Sequence, residues 1–250
     1  MKEDKVKGAG KDGIRINKYI ADSGLCSRRE ADSYIDKGLV TLNGITARAG
    51  ERVFEGDKVL VNGKEIKGRD ERVVIAYYKP VGVICSSKDR HAKRLVVNEI
   101  DHPARLFYAG RLDKDSEGLL LMTNDGDLTD KLMRAKNAHE KEYIVKIKEE
   151  VTDDFVHEMG KGVFLPDIEK TTRPCFIEKT GKYTFRIILT QGLNRQIRRM
   201  CQALGEEVFS LKRVRVANIT LDGLTPGKYR VLKGDELTNL YELVNEADNG

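Results

Sequence analysis

The chain has 250 residues, of which 34% are charged and 40% are hydrophobic, and its formal net charge is +5. This length suits one large domain with a small one, and the modest positive charge permits an anionic partner without requiring one. No apolar stretch reaches the length of a membrane span, and the N-terminal residues lack the apolar segment of a signal peptide. We therefore expect a cytoplasmic protein that does not associate with membranes.

Residue types that bind metals are scattered along the chain. The four cysteines and four histidines include no C-x-x-C pair and no clustered ligand set, so neither a zinc site nor a disulfide framework is expected. The segment DKDSEG begins like a calcium-binding loop at Asp113. The twelfth position, however, is Asn124 rather than the bidentate glutamate that calcium requires. The sequence therefore favours a protein without a bound metal.

Residues 1–13 are polar and are predicted to form a disordered tail, and residues 14–67 are predicted to form a small independent unit. Apolar residues at helical spacing predict a first helix in RINKYIADSG. A capping box of Ser27 and Glu30 marks the start of a second helix. Two Asn-Gly pairs, each flanked by strand-forming residues, indicate two β-hairpins.

Basic side chains surround the two predicted helices of this unit. Arg28 and Arg29 lie in the first turn of the second helix, where the helix dipole disfavours cations. A phosphate would bind both the dipole and the two arginines, whereas the alternative is an ordinary solvated face. The candidate RNA-binding residues of this unit are Arg15, Lys18, Ser27, Arg28, Arg29 and Lys37.

Residues 68–72 are predicted to be a linker to a second domain at residues 73–246, with residues 247–250 as a tail. Five segments predict strands: VVIAYY, GLLLMT, KEYIVKI, YTFRIILT and RVRVANITL. Four further segments predict helices, whose expected N-caps are Asp127, Thr152, Asn194 and Asp235. Because strands outnumber helices without strict alternation, the pattern favours an α+β domain with a mixed, mainly antiparallel sheet.

The segment GRLD places Arg111 two residues before Asp113, directly ahead of an apolar strand. Side chains two residues apart on an extended segment point to the same side, so the two can share a face at the mouth of the strand. Two interpretations stay open from the residues alone. The segment is either an ordinary surface turn or the support of an aspartate that takes part in chemistry.

The helix predicted for NRQIRRMCQALG, which is expected to end at Gly205, carries three arginines. Its core-facing residues are Ile197, Met200, Cys201 and Leu204. Arg195, Gln196 and Arg199 fall towards the other side. Arg198 lies at the edge of the apolar stripe, from which its planar guanidinium can reach a carboxylate. The alternative is that all three arginines face solvent.

Four motifs occur in the order found in a known family: KPVGVICS, GRLDKDSEGLLLMTNDGDL, HEKEYIV and QGLNRQIRRMC. They resemble the bacterial ribosomal pseudouridine synthases, with the F-type large-subunit branch as the nearest match. The segment RINKYIADSGLCSRREADSYIDKGLVTLNG resembles the α-L, or S4-like, RNA-binding domain. Together these resemblances cover nearly the whole chain. They imply an S4-like N-terminal domain followed by a catalytic domain with the pseudouridine synthase fold.

The resemblance also implies roles for individual residues. Asp113 matches the essential aspartate of the GRLD motif, Tyr143 matches the active-site tyrosine, and Arg198 matches the basic residue that pairs with the aspartate. Arg111 matches an arginine associated with substrate binding and base flipping. Ser116 stands where many members have threonine, but the hydroxyl is retained. Further candidate substrate-binding residues are Asn194, Arg195, Gln196 and Arg199.

The implied reaction is the isomerisation of uridine to pseudouridine in RNA. The bond from ribose to a uracil nitrogen breaks, the base turns, and ribose is joined to a uracil carbon. Nothing is added or lost, so the resemblance implies neither a cofactor nor a metal. The base must first leave its stack, and Asp113 then acts either as a nucleophile at the sugar or as a base on it.

The expected substrate is a uridine in a stem-loop of large-subunit (23S) ribosomal RNA, with a transfer RNA anticodon stem-loop as a second candidate. Two other functions stay open at this point. A non-catalytic RNA-binding or ribosome-assembly factor would leave Asp113 and Tyr143 unexplained, and a structural protein would bind partners through its basic surface. The sequence contains no heptad repeat that would indicate assembly through a coiled coil, so a monomer is expected.

Overall fold

The computed structural model describes residues 12–67, 71–86 and 93–249, which form two units. One unit comprises the chain up to Arg72 together with Pro103–Arg105, and the other comprises the remainder. Most of the predicted N-terminal tail and residues 68–70 of the predicted linker lie outside the described residues. Among the helices that the structure describes, none combines the length and the apolar character needed to cross a bilayer.

The smaller unit contains the two predicted helices and short strands. Its elements are β1 Ile14–Arg15, α1 Ile16–Asp22, α2 Arg28–Asp36, β2 Val40–Leu42, β3 Ile45–Thr46, β4 Arg52–Val53, β5 Val59–Val61 and β6 Lys64–Glu65. Strands β3, β2, β5 and β6 form an antiparallel sheet in that order, and β1 pairs with β4. One apolar cluster, which includes Ile16, Ile20, Ala31 and Ile35, joins the helices to this sheet.

Local sequence signals account for this unit. The capping box is present because Glu30 N donates to Ser27 Oγ at 3.2 Å, while Ser27 N donates to Glu30 Oε2 at 2.9 Å. Both hairpins turn at a left-handed asparagine, Asn43 at φ 52° and Asn62 at φ 51°, each followed by a left-handed glycine. This pair of conformations is the one that a two-residue type I′ turn requires. The predicted helices and hairpins are confirmed.

The larger unit is built on a nine-stranded sheet, to which all its described strands except β11 and β12 belong. The strands and helices of the whole unit are β7 Val74–Lys79, β8 Phe107–Ala109, β9 Glu117–Thr123, α3 Gly126–Met133, β10 Lys141–Ile147, α4 Asp153–Lys161, β11 Phe164–Leu165, β12 Lys170–Thr171, β13 Phe176–Gly181, β14 Thr184–Leu189, α5 Gln196–Ala203, β15 Val208–Val216, β16 Ile219–Thr220, β17 Tyr229–Val231 and α6 Gly234–Asn249. Two 3-10 helices occupy Val96–Asn98 and Ala135–Asn137.

The sheet is mixed and mainly antiparallel, as predicted. Its strand order is β13-β14-β10-β15-β9-β7-β17, with β16 paired to β15 and β8 paired to β9. Among the described strands of this sheet, β9 and β15 form the parallel pair and the other pairs are antiparallel. Helices α3 and α6 pack on the β7–β9 region, and α4 and α5 pack on the β10–β14 region. The predicted α+β class is therefore confirmed.

Several predicted helix ends are wrong by one or two residues. Helix α3 is capped by Asp125, whose Oδ1 accepts from two backbone N–H groups, whereas Asp127 lies in the first turn. Helix α5 has the left-handed Arg195 at its N-cap rather than Asn194. Asp235 lies within the first turn of α6, and that helix continues through the predicted tail to residue 249. The cap at Thr152 is confirmed.

The backbones of β9 and β15 approach closely at Gly118. Its φ is +111°, and a Cβ added there would lie 2.2 Å from the carbonyl oxygen of Arg213. Real Cβ atoms do not approach backbone so closely, and an L side chain is strained at this φ. Glycine is therefore required for the parallel pairing, in which Gly118 lies opposite Arg213.

Replacing Gly118 with alanine is expected to lower the free energy of unfolding by about 3 kcal/mol or more. Overpacking of about 1–3 kcal/mol adds to left-handed backbone strain of about 1–2 kcal/mol. Gly223→Ala is the matched control, because its φ is +75° but nothing lies within 4 Å of the added Cβ. Urea unfolding of both variants measures the difference, and equal destabilisation would contradict the close-approach argument.

Candidate active site

The loop between β8 and β9 carries Asp113. It is held by a hydrogen bond within the loop and by two from the end of β7 and the turn that follows it. Ser116 N donates to the carbonyl of Asp113 at 3.1 Å, and Gly82 N donates to that of Lys114 at 2.7 Å. The fully buried Lys79 donates from Nζ to the carbonyl of Ser116 at 2.7 Å. Desolvation lowers the pKa of Lys79, although the nearby carboxylates oppose this shift. These hydrogen bonds position the backbone of the loop around Asp113.

The arginines of α5 meet this loop in a different arrangement from the predicted one. Arg195 Nη1 lies 3.7 Å from Asp113 Oδ2. Arg198, the predicted partner of Asp113, instead lies with Nε 3.4 Å from Asp115 Oδ2 and donates from Nη2 to the carbonyl of Asp115 at 2.9 Å. The left-handed conformation of Arg195 at the N-cap turns its side chain towards the loop, which the helical pattern did not predict.

Asp115 is the carboxylate most tightly bound by arginine in this loop. Arg195 donates from Nη1 and Nη2 to its two oxygens, each at 3.2 Å, in a bidentate arrangement. Burial acts to raise the pKa of Asp115, but the hydrogen bonds from Arg195 and the charge of Arg198 outweigh it, so the pKa is lowered. Asp115 therefore stays ionised and anchors α5 to the loop.

Asp113 and Tyr143 line one cavity of about 470 Å³. Both side chains are partly buried, and Tyr143 is presented by β10. The cavity is lined by Gly110, Arg111, Leu112, Asp113, Ser116, Met133, Lys141, Tyr143, Leu189, Gln191, Gly192, Leu193, Asn194, Arg195, Gln196, Ile197, Arg198, Leu211 and Arg213. The structure thus brings together the three predicted catalytic residues and most of the predicted substrate-binding residues.

Two predicted substrate-binding residues serve other contacts. Gln196 was expected to face away from the core, but it is buried, and its Oε1 accepts from Leu193 N at 3.0 Å. Arg199 donates from Nε to the carbonyl of Asn194 at 2.9 Å and forms an ion pair with Asp167. Arg199 is not among the cavity-lining residues. Arg111 is exposed at the cavity, where Asn194 is exposed as well.

Two buried cations of this cavity were not predicted from the sequence. Lys141 precedes Tyr143 by two residues on β10, and Arg213 lies opposite Tyr143 on β15. Burial, and secondarily the charge of Arg213, lowers the pKa of Lys141 to about 8. The spacing of Lys141 and Tyr143 was a usable signal, because residues two apart on a strand share a face. Arg213 gives no such local signal, since its position depends on strand pairing.

The predicted RNA-binding residues of the smaller unit differ in their surroundings. Arg15, Arg28, Arg29 and Lys37 are exposed. Lys18 forms an ion pair with Asp22 at 3.2 Å, and the hydroxyl of Ser27 is occupied by the capping box. Four of the six residues therefore present their side chains to solvent. Within the described ranges, no group of three or more His, Cys, Asp or Glu residues has the geometry of a metal site.

Comparisons with known proteins match both units. The chain matches the family described as RNA pseudouridylate synthase over residues 73–203 and the S4 domain over residues 14–59. Dual-specificity RNA pseudouridine synthase RluF of Escherichia coli O6:H1 (strain CFT073) is 47% identical over 238 residues, which are 94% of this chain and 81% of that protein. Ribosomal large subunit pseudouridine synthase B of Bacillus subtilis (strain 168) is 35% identical over 243 residues, 94% of this chain and 98% of that protein.

A solved structure supports the same comparison at the level of the fold. A crystal structure of a pseudouridylate synthase has 27% sequence identity to this chain and superposes with a TM-score of 0.66. The match covers 92% of this chain and 100% of the other.

The depressed pKa of Asp115 predicts a pH dependence of stability. Its native pKa lies below the unfolded value of about 3.9, so ionised Asp115 contributes stability above that pH and loses it as the pH falls through the native value. At neutral pH, Asp115→Asn is expected to unfold at a lower urea concentration than the unaltered chain. The gap should close as the pH falls below the unfolded value of about 3.9 and through the lower native value. The exposed Asp101→Asn serves as the control, and a gap independent of pH would contradict the assignment.

Proposed function

Since the chain belongs to the RNA pseudouridylate synthase family, we propose that it isomerises uridine in large-subunit ribosomal RNA within the cavity that contains Asp113 and Tyr143. The ribosomal target is proposed because the Bacillus subtilis relative is named as a large-subunit synthase. The observation that carries the site assignment is the presence of Asp113 and Tyr143 in one cavity. Asp113 is the single carboxylate among the described residues that line it.

In the proposed mechanism, a uridine leaves its stack and enters the cavity with its sugar beside Asp113. A volume of about 470 Å³ suits a single nucleotide, since small-molecule sites span about 300–1000 Å³. Arg111 and Asn194 are exposed and line the cavity, and we propose that they contact the phosphates on either side of the extruded nucleotide. The ring of Tyr143 packs on the base and limits its movement while it is detached.

Asp113 then acts on the sugar by one of two routes. As a nucleophile, its carboxylate bonds to the sugar carbon as the bond to uracil N1 breaks, and the bonding pair leaves with the base. As a base, it removes the neighbouring sugar proton, and the same pair leaves with the base. In either route the base turns and its C5 bonds to the sugar carbon. In the first route the bond from Asp113 to that carbon breaks as C5 attacks, and in the second the proton that Asp113 removed returns to the sugar. The C5 proton is then released, and N1 takes up a proton. The sum is an isomerisation, so no oxidant, reductant or group donor takes part.

The smaller unit is proposed to hold the RNA while the larger unit modifies it. It matches the S4 domain, and its exposed basic residues Arg15, Arg28, Arg29 and Lys37 provide positive charge for phosphates. A non-catalytic RNA-binding protein would need only this unit, and it would leave the cavity around Asp113 without a role. Action as a monomer in the cytoplasm remains a prediction from the sequence.

Asp113→Asn is expected to abolish pseudouridine formation while RNA binding and folding are retained, because the amide cannot attack or deprotonate the sugar. The loss should be at least about 1000-fold, the scale of removing a positioned acid–base group. RNA tritiated at uracil C5 releases tritium only on turnover, which provides the measurement. The exposed Asp222→Asn is the matched control. Full activity of Asp113→Asn would remove the proposed mechanism.

The same assay tests the substrate. Large-subunit ribosomal RNA fragments are expected to release tritium, and transfer RNA transcripts form the second arm because the Escherichia coli relative is named as dual-specificity. Turnover of transfer RNA alone would overturn the proposed ribosomal target and leave the chemistry intact.

Replacing both Arg28 and Arg29 with alanine is expected to weaken RNA binding and to reduce its salt dependence. Each phosphate contact contributes about 0.7–0.9 to the slope of log K against log salt, so the slope should fall by about 1.5. Lys58→Ala with Lys64→Ala is the control, since both lysines are exposed in the same unit. Filter binding between 50 and 200 mM salt, a range of about fourfold, measures the slopes. An unchanged slope would place the RNA elsewhere.

A further inference from the structure

The inner wall of the cavity carries two buried cations that the proposed mechanism does not use. Lys141 and Arg213 are 7% and 3% exposed. Strand pairing sets Arg213 directly opposite Tyr143, and Lys141 precedes Tyr143 by two residues. All three side chains therefore lie on one face of the sheet, and all three line the cavity.

Neither cation has a carboxylate partner within the described part of the chain. Lys141 Nζ donates to the carbonyl of His139 at 2.9 Å. Arg213 donates from Nε to the carbonyl of Leu119 at 2.7 Å and from Nη1 to that of Arg111 at 3.4 Å. Its buried Nη2 has no hydrogen-bond partner among the residues that the structure describes. His139 does not supply negative charge either, because an imidazole is either neutral or cationic. Burial, and then the charge of Lys141, lowers the pKa of His139 and so favours its neutral form.

The hydrogen bonds of Arg213 support folding, but the charges of the two cations oppose it. Two like charges beside each other in a buried site repel, and each has lost hydration. The lowered pKa of Lys141 reflects the same two effects. A neutral apolar side chain at position 141 would remove both. Such a site is explained if an anion, or a group that becomes anionic, occupies the cavity during function.

The depth of the two cations indicates which part of an RNA reaches them. A phosphate of an extruded nucleotide stays joined to its neighbours, so it remains near the exposed Arg111 at the mouth. The base is the part that enters deepest, and Tyr143 on the same strand is proposed to pack on it. The base also becomes an anion when its bond to the sugar breaks and the electron pair remains on N1. A detached uracil anion therefore fits both the depth and the charge.

We propose that Lys141 donates a hydrogen bond to a carbonyl oxygen of the uracil and so stabilises the base as an anion while it is detached from the sugar. The nearby positive charge of Arg213 adds to this stabilisation. This inference rests on the proposed function of the cavity. Lys141 has two further N–H donors besides the one that serves His139. The stabilised negative charge is delocalised over N1 and the carbonyl oxygens. It is consumed when C5 forms its bond to the sugar carbon. The C5 proton then departs to water, and N1 takes up a proton.

The test uses the full-length chain and a ribosomal RNA fragment that the unaltered enzyme modifies, in single-turnover reactions. Lys141→Met is expected to lower the rate constant by about 100-fold, the scale for losing one donor to a developing oxyanion. Lys141→Arg should recover part of this loss. Lys146→Met is the matched control, because Lys146 is exposed on the opposite face of the same strand, and its rate should be unchanged.

A second RNA distinguishes stabilisation of the base from a structural role. In RNA with 5-fluorouridine at the target, fluorine itself stabilises the base anion, so Lys141→Met should slow consumption of that nucleoside less than consumption of uridine. Chromatography after nuclease digestion follows both. Equal slowing of the two nucleosides, or no slowing of uridine, would overturn the inference.

Stability provides an independent readout of the same variant. Lys141→Met is expected to unfold in urea at the same concentration as the unaltered chain or a higher one, because it removes an unpaired buried charge. A variant that fails to fold would contradict the argument from unfavourable burial. If the unaltered chain modifies no RNA, the proposed function fails. If it is active and Lys141→Met is equally active, the inference about Lys141 alone fails.

Discussion

The parallel pairing of β9 with β15 is the contact on which the cavity depends. Gly118 allows the two backbones to meet, and Arg213 on β15 then donates to the carbonyls of Leu119 and Arg111. The side chain of Arg213 thus connects the loop that carries Asp113 to the centre of the sheet. Because β15 also pairs with β10, the same register places Tyr143 beside that loop. Three segments distant in sequence are positioned by one strand.

The two aspartates of this loop divide the available arginines unequally. Asp115 receives the bidentate hydrogen bonds of Arg195 and the contacts of Arg198, whereas Asp113 has one contact of 3.7 Å with Arg195. A carboxylate that attacks or deprotonates a sugar needs accessible lone pairs, which a bidentate arginine would occupy. In the proposed mechanism Asp115 holds the arginines in place, and Asp113 stays near positive charge without losing its oxygens to them.

A feature of this molecule could be predicted from the sequence when the residues that determine it lie close together along the chain. Local signals succeeded: the Ser27 capping box, the Asn-Gly hairpins and the strand around Tyr143 are confirmed because nearby residues determine them. The start of α5 was wrong because Arg195 adopts a left-handed conformation that no local pattern shows. The same left-handed residue explains why Arg195, rather than the predicted Arg198, lies nearest to Asp113. The burial of Arg213 could not be predicted because it depends on the pairing of β9 with β15, which are far apart in the chain.

The buried cations of the larger unit differ in the backbone carbonyls to which they donate hydrogen bonds. Lys79 donates to the carbonyl of Ser116, and Arg213 donates to that of Arg111, so both serve the loop around Asp113. Lys141 instead binds the carbonyl of His139, outside that loop, and lines the cavity. Holding the loop therefore explains the burial of the first two cations and leaves that of Lys141 unexplained. Charge and depth are shared by Lys141 and Arg213, and the hydrogen-bond partners then single out Lys141 as the cation left to meet the substrate.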